Sequence, residues 1–274
     1  MKAIIGMIIS LVLVLNAAPT FAQDKIVVDG STTVGPIAKA FAEYYMGMNK
    51  DVNITVSESG SGNGAKSLIN SACQVAAMSR FMKDNEFAAA VEKGVNPVFH
   101  VVALDGIAMV VHPANPVTKI SKEQVKDIYL GKIKSWKALG GPDRPITFIT
   151  RDTNSGTFET FENLVMNKEK IAGNAEVLGS NGAIRSRVQD TSTAIGYVGL
   201  GFVDNTVKAL KVDGVMPTLR TIALGTYPIA RPLYMATKGY PKMGSTLYQF
   251  MTLHLTKKGQ EIVKRIGFVP VTEY

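Results

Sequence analysis

Residues 25–78 read KIVVDGSTTVGPIAKAFAEYYMGMNKDVNITVSESGSGNGAKSLINSACQVAAM, and this stretch decides the fold class. Residues 25–28 form a short β-rich run, followed by Asp29-Gly30-Ser31-Thr32-Thr33. Over 36–46, Ile37, Phe41 and Tyr44 recur at i, i+4 and i+7, and Pro36 suits a first turn, so a helix is expected. Val52, Ile54 and Val56 alternate with Asn53 and Thr55, which predicts a strand over 52–56. Gly60-Ser61-Gly62-Asn63-Gly64 comes next, a second helix is expected over 65–70, and 74–78 reads as a third short strand. The order strand–loop–helix, twice over and closed by a strand, is that of a parallel sheet with crossover helices. Ligands of such sheets sit beyond the carboxyl ends of the strands, where both Ser/Thr/Gly loops lie.

Further along, 98–111 is a long apolar stretch broken only by Asp105-Gly106, and 227–236 (YPIARPLYMA) is a second one. The first is too long for one ordinary strand. Both read as extended crossings between two lobes. The part between them has helices over 122–130 and 157–165 and strands over 146–150 and 194–198, while 244–266 is mostly helical. The expectation is a two-lobe α/β protein. Residues 23–104 plus 231–274 would build one lobe and 105–230 the other, with the ligand cleft between them.

Residues 1–22, MKAIIGMIISLVLVLNAAPTFA, join a positive start to an apolar run and a small-residue cleavage site. This predicts a cleavable secretory signal, hence a periplasmic protein. The run falls short of the ~20 apolar residues of a spanning helix. No cysteine follows it, so no lipid anchor is expected.

The 274 residues are 46% hydrophobic and 19% charged, which excludes an acidic disordered chain. The single cysteine, Cys73, rules out an intrachain disulfide and a cysteine-based metal cluster, and reads as a small buried apolar residue. The net charge is +8, but basic residues are dispersed among acidic ones, which disfavours nucleic acid or a membrane surface as partner.

Three expected helices begin with similar chemistry: Ser31-Thr32-Thr33, Ser61-Gly62 and Asn154-Ser155-Gly156-Thr157. A helix N-terminus leaves about four backbone N–H groups unpaired and carries roughly half a positive charge. Glycine lets a ligand come close, and Ser and Thr add hydroxyl donors. Three converging ends could enclose a tetrahedral oxyanion. Arg151 lies four residues before Ser155 at a strand end, and its planar fork suits an oxyanion. Taken singly, each loop is an ordinary N-cap. Spacing alone does not make the three converge.

Six segments carry a family resemblance: GSTTVGPIAKAFAE at 30–43, SGSGNGAKSLI at 59–69, DIYLGKIKSW at 127–136, TRDTNSGTFETF at 150–161, AIGYVG at 194–199 and GFVPV at 267–271. In this order they resemble the periplasmic phosphate-binding proteins of the high-affinity phosphate ABC transporter (PstS type). The resemblance implies a two-lobe periplasmic-binding-protein fold (type II) with lobes joined by two hinge strands. It implies a monomer that captures inorganic phosphate and delivers it to an ABC permease, with no cofactor, no metal and no catalysis. By motif, Thr32, Thr33, Ser61, Arg151, Ser155, Gly156 and Thr157 would hold phosphate, with Ser31, Ser79 and Arg80 as additional candidates.

One departure stands out. Many members carry, after the third strand, an aspartate that accepts the phosphate's proton and so rejects sulfate; this chain has Arg80 there. Arg80 could add a second positive contact or point to solvent, and Asp29 or Asp152 could substitute as acceptor. Two other readings remain: a receptor for sulfate or molybdate, and a serine phosphatase or hydrolase using the GSG or NSGT serine. The hydrolase needs a base and an orienting group beside the serine. His100, His112 and His254 belong to no motif.

Overall fold

The computed structural model describes residues 24–272, so the leader expected over 1–22 lies outside them. β1 (Asp24–Gly30) leads through α1 (Gly35–Met48) to β2 (Val52–Ser57), and α2 (Ser61–Ile69) leads to β3 (Val75–Met78). Both β2 and β3 pair with β1 in parallel, as the opening pattern requires. The second helix begins earlier than expected. Residues 61–64 form its first turn and not a loop, with glycine kept for packing. A Cβ on Gly64 would stand 2.8 Å from the Gly30 Cα and 2.7 Å from the Asp29 carbonyl oxygen. α2 therefore rests backbone against backbone on β1.

After α3 (Asp84–Glu92) comes β4 (Pro97–Val111), 15 residues long. Then follow β5 (Lys119–Ile120), α4 (Lys122–Tyr129), β6 (Thr147–Arg151), α5 (Gly156–Leu164), β7 (Glu176–Leu178), α6 (Asn181–Gln189) and β8 (Ala194–Gly199). β9 (Lys208–Ala209), β10 (Lys211–Val212), α7 (Leu219–Ala223), β11 (Ala230–Lys238), α8 (Thr246–Thr252) and α9 (Lys257–Arg265) complete the described chain. The main sheet runs β2-β1-β3-β11-β4-β8-β6-β7, with β9 on β4.

β4 explains its own length by changing partners. Residues 97–106 pair antiparallel with β11, and 107–111 pair antiparallel with β8. It crosses at Gly106, where a Cβ would meet Ile222 Cδ1 at 2.6 Å. One half of the sheet packs Ile26, Val28, Phe41, Leu233, Phe250, Ile262 and Phe268. The other half packs Tyr129, Trp136, Phe148, Phe161, Tyr197 and Tyr227. Burying such side chains contributes roughly 1.5–3 kcal/mol each. Cys73 is buried as expected, and burial pushes its thiol up to about 12. The fold is the expected two-lobe α/β arrangement.

His100 on β4 and His254 stack edge to face, with ring centroids 5.7 Å apart. Burial, then repulsion from His254, pushes His100 down from an exposed histidine's 6.5 to about 4. The unfolded chain therefore takes up its proton first as pH falls. This contribution to stability is intact above pH 6.5 and is lost between 6.5 and 4. Denaturant midpoints should fall across that window, and less so in His100→Gln; equal pH slopes in both proteins would refute the assignment.

Candidate functional site

Arg151 ends β6, and the turn after it opens α5, so the arginine and the helix start share one strand-to-helix junction. Arg151 is 2% exposed. Its Nε donates to the Leu178 carbonyl at 3.0 Å and its Nη2 to the Gly179 carbonyl at 2.8 Å. Its Nη1 is buried with no hydrogen-bond partner. Burial holds the guanidinium below its ordinary pKa, against its charge, with Asp152 opposing. Tyr197, stacked on Phe161 at 4.1 Å, sets the strand end: its hydroxyl accepts from the Arg151 amide at 3.2 Å. A buried cation with one free donor has the chemistry to receive an anion.

The three helix starts do converge. Thr33 Oγ1 and Thr157 Oγ1 lie 3.0 Å apart, although 124 residues separate them. The Gly62 amide donates to the Asn154 carbonyl at 2.9 Å. A Cβ on Gly156 would stand 2.6 Å from both Ser61 Oγ and Ser79 Oγ. Ser31, Thr32, Thr33, Ser61, Ser79, Ser155 and Thr157 are all buried. Ser155 caps α5, its hydroxyl accepting from the Phe158 amide at 3.2 Å.

Arg80 does not point to solvent. It is buried, and its Nη1 and Nη2 donate to the two carboxylate oxygens of Glu86 at 2.7 and 2.8 Å. Its Nε sits 2.8 Å from Glu159 Oε2 on α5, an ion-pair contact without hydrogen-bond alignment. Arg80 thus joins the segment after β3 to α5. Asp29 accepts the hydroxyls of Ser59 and Ser67. Asp152 Oδ1 accepts the Asn154 amide, and Oδ2 lies 3.7 Å from Arg151 Nη2.

Three further residues belong here that sequence reasoning missed. Asn181, at the start of α6, donates to Thr32 Oγ1 at 3.0 Å and to Thr33 Oγ1 at 2.9 Å. Arg231 on β11 donates to Thr157 Oγ1 at 2.9 Å and to the Ser79 carbonyl at 3.2 Å. Asp105, its register partner on β4, holds it with Oδ2 at 2.9 Å from Nη2 and 3.1 Å from Nε. Burial pushes the Asp105 carboxyl up and the Arg231 guanidinium down, and the attraction between them opposes both. A signal existed: each apolar crossing carries one charge near its middle, and the two charges are opposite.

The chain matches the model of the PBP superfamily domain over residues 16–255. It is 34% identical to the phosphate-binding protein PstS of Bacillus subtilis, over 92% of this chain and 82% of that protein. It is 31% identical to PstS of Borreliella burgdorferi, over 91% of each. This chain belongs to the PstS family. Among solved structures it resembles a phosphate ABC transporter substrate-binding protein of Clostridium perfringens, determined with bound phosphate. That match has a TM-score of 0.84 and 33% identity, covering 91% of this chain and 100% of the other. An ABC-type phosphate transport receptor of Vibrio cholerae matches with a TM-score of 0.73 and 30% identity, over 89% and 99%. The expected family and fold are therefore met. The curated PstS relatives are named phosphate-binding proteins.

Proposed function

We propose that this PstS-family chain captures inorganic phosphate between its lobes and delivers it to an ABC permease. The observation that carries this reading is Arg151 Nη1: a buried cationic donor without a partner, at the junction where three helix starts meet. Arg151 supplies the charge. The hydroxyls and amides of Thr32, Thr33, Ser61, Ser155, Gly156 and Thr157 supply directed donors. A divalent anion buried without them would cost several kcal/mol or more. The lobes would be residues 23–104 plus 231–274 and 105–230; the change of partners in β4 between Gly106 and Ile107 supports that boundary.

The reading places the protein in the periplasm as a monomer, exported by the leader at 1–22. Among the described residues no helix is long and apolar enough to cross a membrane. The reading assigns no chemistry to the bound anion. Ser155 Oγ already accepts its own helix's amide, and His100 and His254 face each other far along β4 and the C-terminal segment.

Titration calorimetry of the purified protein with inorganic phosphate tests the function. One phosphate per chain is expected, along with a rise in melting temperature on adding phosphate. Absence of both would refute the reading. Gly156 offers a finer test, since it faces Ser61 and Ser79 across the cleft. Gly156→Val should prevent full closure and weaken phosphate binding roughly 10- to 100-fold. The fold of the free protein should stay intact by circular dichroism; undiminished affinity would show that the lobes do not close at this point.

A further inference from the structure

Neighbouring residues of an extended strand point to opposite faces. On β4, Asp105 turns to Arg231 and the Leu200 amide, beside the helix starts. Leu104, one residue earlier, faces the other way. There the backbones of Leu104 and Val269 exchange two hydrogen bonds, at 2.9 and 3.1 Å. Both residues line a groove of about 850 Å³, which lies behind the crossing strands, on the side away from the helix starts.

The two walls of this groove come from different halves of the molecule. One is α7, with Arg220 and Ala223, in the lobe proposed as 105–230; the other is α9, in the other lobe. Lys257, Gln260, Glu261 and Lys264 fall at i, i+3, i+4 and i+7 of α9, one stripe of that helix. The floor is apolar: Leu104, Leu219 and Val269 continue into the core around the crossing. Leu224, which also lines the groove, is 65% exposed. The charge is mostly positive. Arg220, Lys257 and Lys264 are exposed and form no ion pair among the described residues, and Glu261 is the only acid in the lining, 4.0 Å from Lys258. A cavity of this size, apolar with a few charged groups, suits a small organic ligand.

We propose that this groove binds a small amphipathic anion, an apolar body with one anionic head, and that the bound ligand holds the lobes closed. The cations on both walls receive the head and the floor receives the body. In this structure the lobes meet at the front, with the Thr33 and Thr157 hydroxyls 3.0 Å apart. The crossing strands lie between front and back, so opening the front swings α7 toward α9 and narrows the groove. A ligand that fills the groove resists that swing. Coupling between two sites is reciprocal, so this ligand and phosphate strengthen each other's binding. That last step rests on the phosphate-capture reading above; occupancy of the groove does not.

Anilinonaphthalene sulfonate is a probe of this chemistry, and its fluorescence reports apolar surroundings. Titrated into the phosphate-free protein, it should fill one saturable site per chain and be displaced by decanoate. N-phenylnaphthylamine, the same body without the sulfonate, should bind about tenfold more weakly, as should the sulfonate to the double variant Arg220→Glu with Lys264→Glu. Ala223→Trp fills the groove from the α7 wall and should exclude the probe, with the circular dichroism of the parent retained. Calorimetry should show phosphate bound about fivefold or more tightly in the presence of the probe, and no such gain in Ala223→Trp. Small-angle scattering reads closure without phosphate: the probe should lower the radius of gyration of the parent and not of Ala223→Trp. A probe signal that Ala223→Trp leaves intact, or that the neutral amine matches, would overturn the proposal. So would a probe that binds without compacting the protein, or a dimer that Ala223→Trp disperses, since a second copy would then occupy the groove. No heat with phosphate, beside a probe that binds and compacts the protein, would overturn phosphate capture and leave this proposal standing.

Discussion

Arg151→Ala is expected to weaken phosphate binding at least ~100-fold, the equivalent of ~3 kcal/mol or more for a buried, hydrogen-bonded charge contact. The side chain is fixed by the Leu178 and Gly179 carbonyls, so the free Nη1 is pre-aimed and little ordering remains to oppose binding. Truncation removes the cation whose burial, in the free protein, nothing nearby fully offsets. The free variant should therefore keep its melting temperature, while the phosphate-induced rise disappears. Arg151→Lys should recover only part of the affinity. A lysine has one ammonium group and cannot hold both carbonyls while presenting a further donor along a fixed direction. Calorimetry and thermal melts of the three proteins check this. An Arg151→Ala affinity within threefold of the parent, roughly 0.6 kcal/mol, would remove Arg151 from the site.

The second large effect falls on stability. Asp105→Ala should destabilise the protein by about 3–5 kcal/mol, because it leaves the Arg231 guanidinium buried and uncompensated. Asp105 is 0% exposed, and its two oxygens together accept three N–H donors, so no water can readily take its place. Against a typical total of 5–15 kcal/mol, that is a large share. The loss should be mostly recovered when Arg231 is replaced too. Asp105→Leu with Arg231→Met should be more stable than Asp105→Ala, since apolar pairs often replace buried ion pairs at little cost. Phosphate affinity should not recover in the double variant, because Arg231 also donates to Thr157 and to the Ser79 carbonyl from opposite sides of the cleft. Urea midpoints of the single and double variants separate the two roles. A single variant as stable as the parent would mean that the pair is not what holds the crossing strands.

The legible part of the candidate site is the part written in short range. Thr32, Thr33, Ser61, Ser155, Gly156 and Thr157 announce themselves because helix starts need small hydroxyl residues and glycine within a few positions. Arg151 was legible because it ends the strand that feeds one of those starts. Asn181, Asp105 and Arg231 were not. Asn181 opens a helix of weak apolar pattern. Asp105 and Arg231 meet only through the antiparallel register of β4 and β11, 126 residues apart in sequence. Arg80 shows the converse. Its position after β3 was visible, but its direction depends on Glu86 and Glu159, which come from two different helices.

Sequence alone determined the parallel opening of the sheet, the two crossings and the chemistry of each helix start, because periodicity and capping act over a few residues. Only the tertiary structure decided that the three starts face one another, that Arg151 keeps one donor free, and that Arg80 turns to Glu86 and Glu159. Those outcomes depend on how the two halves of the sheet meet across β4 and β11. Contacts between residues more than a hundred positions apart are set by packing and register, which no local pattern records.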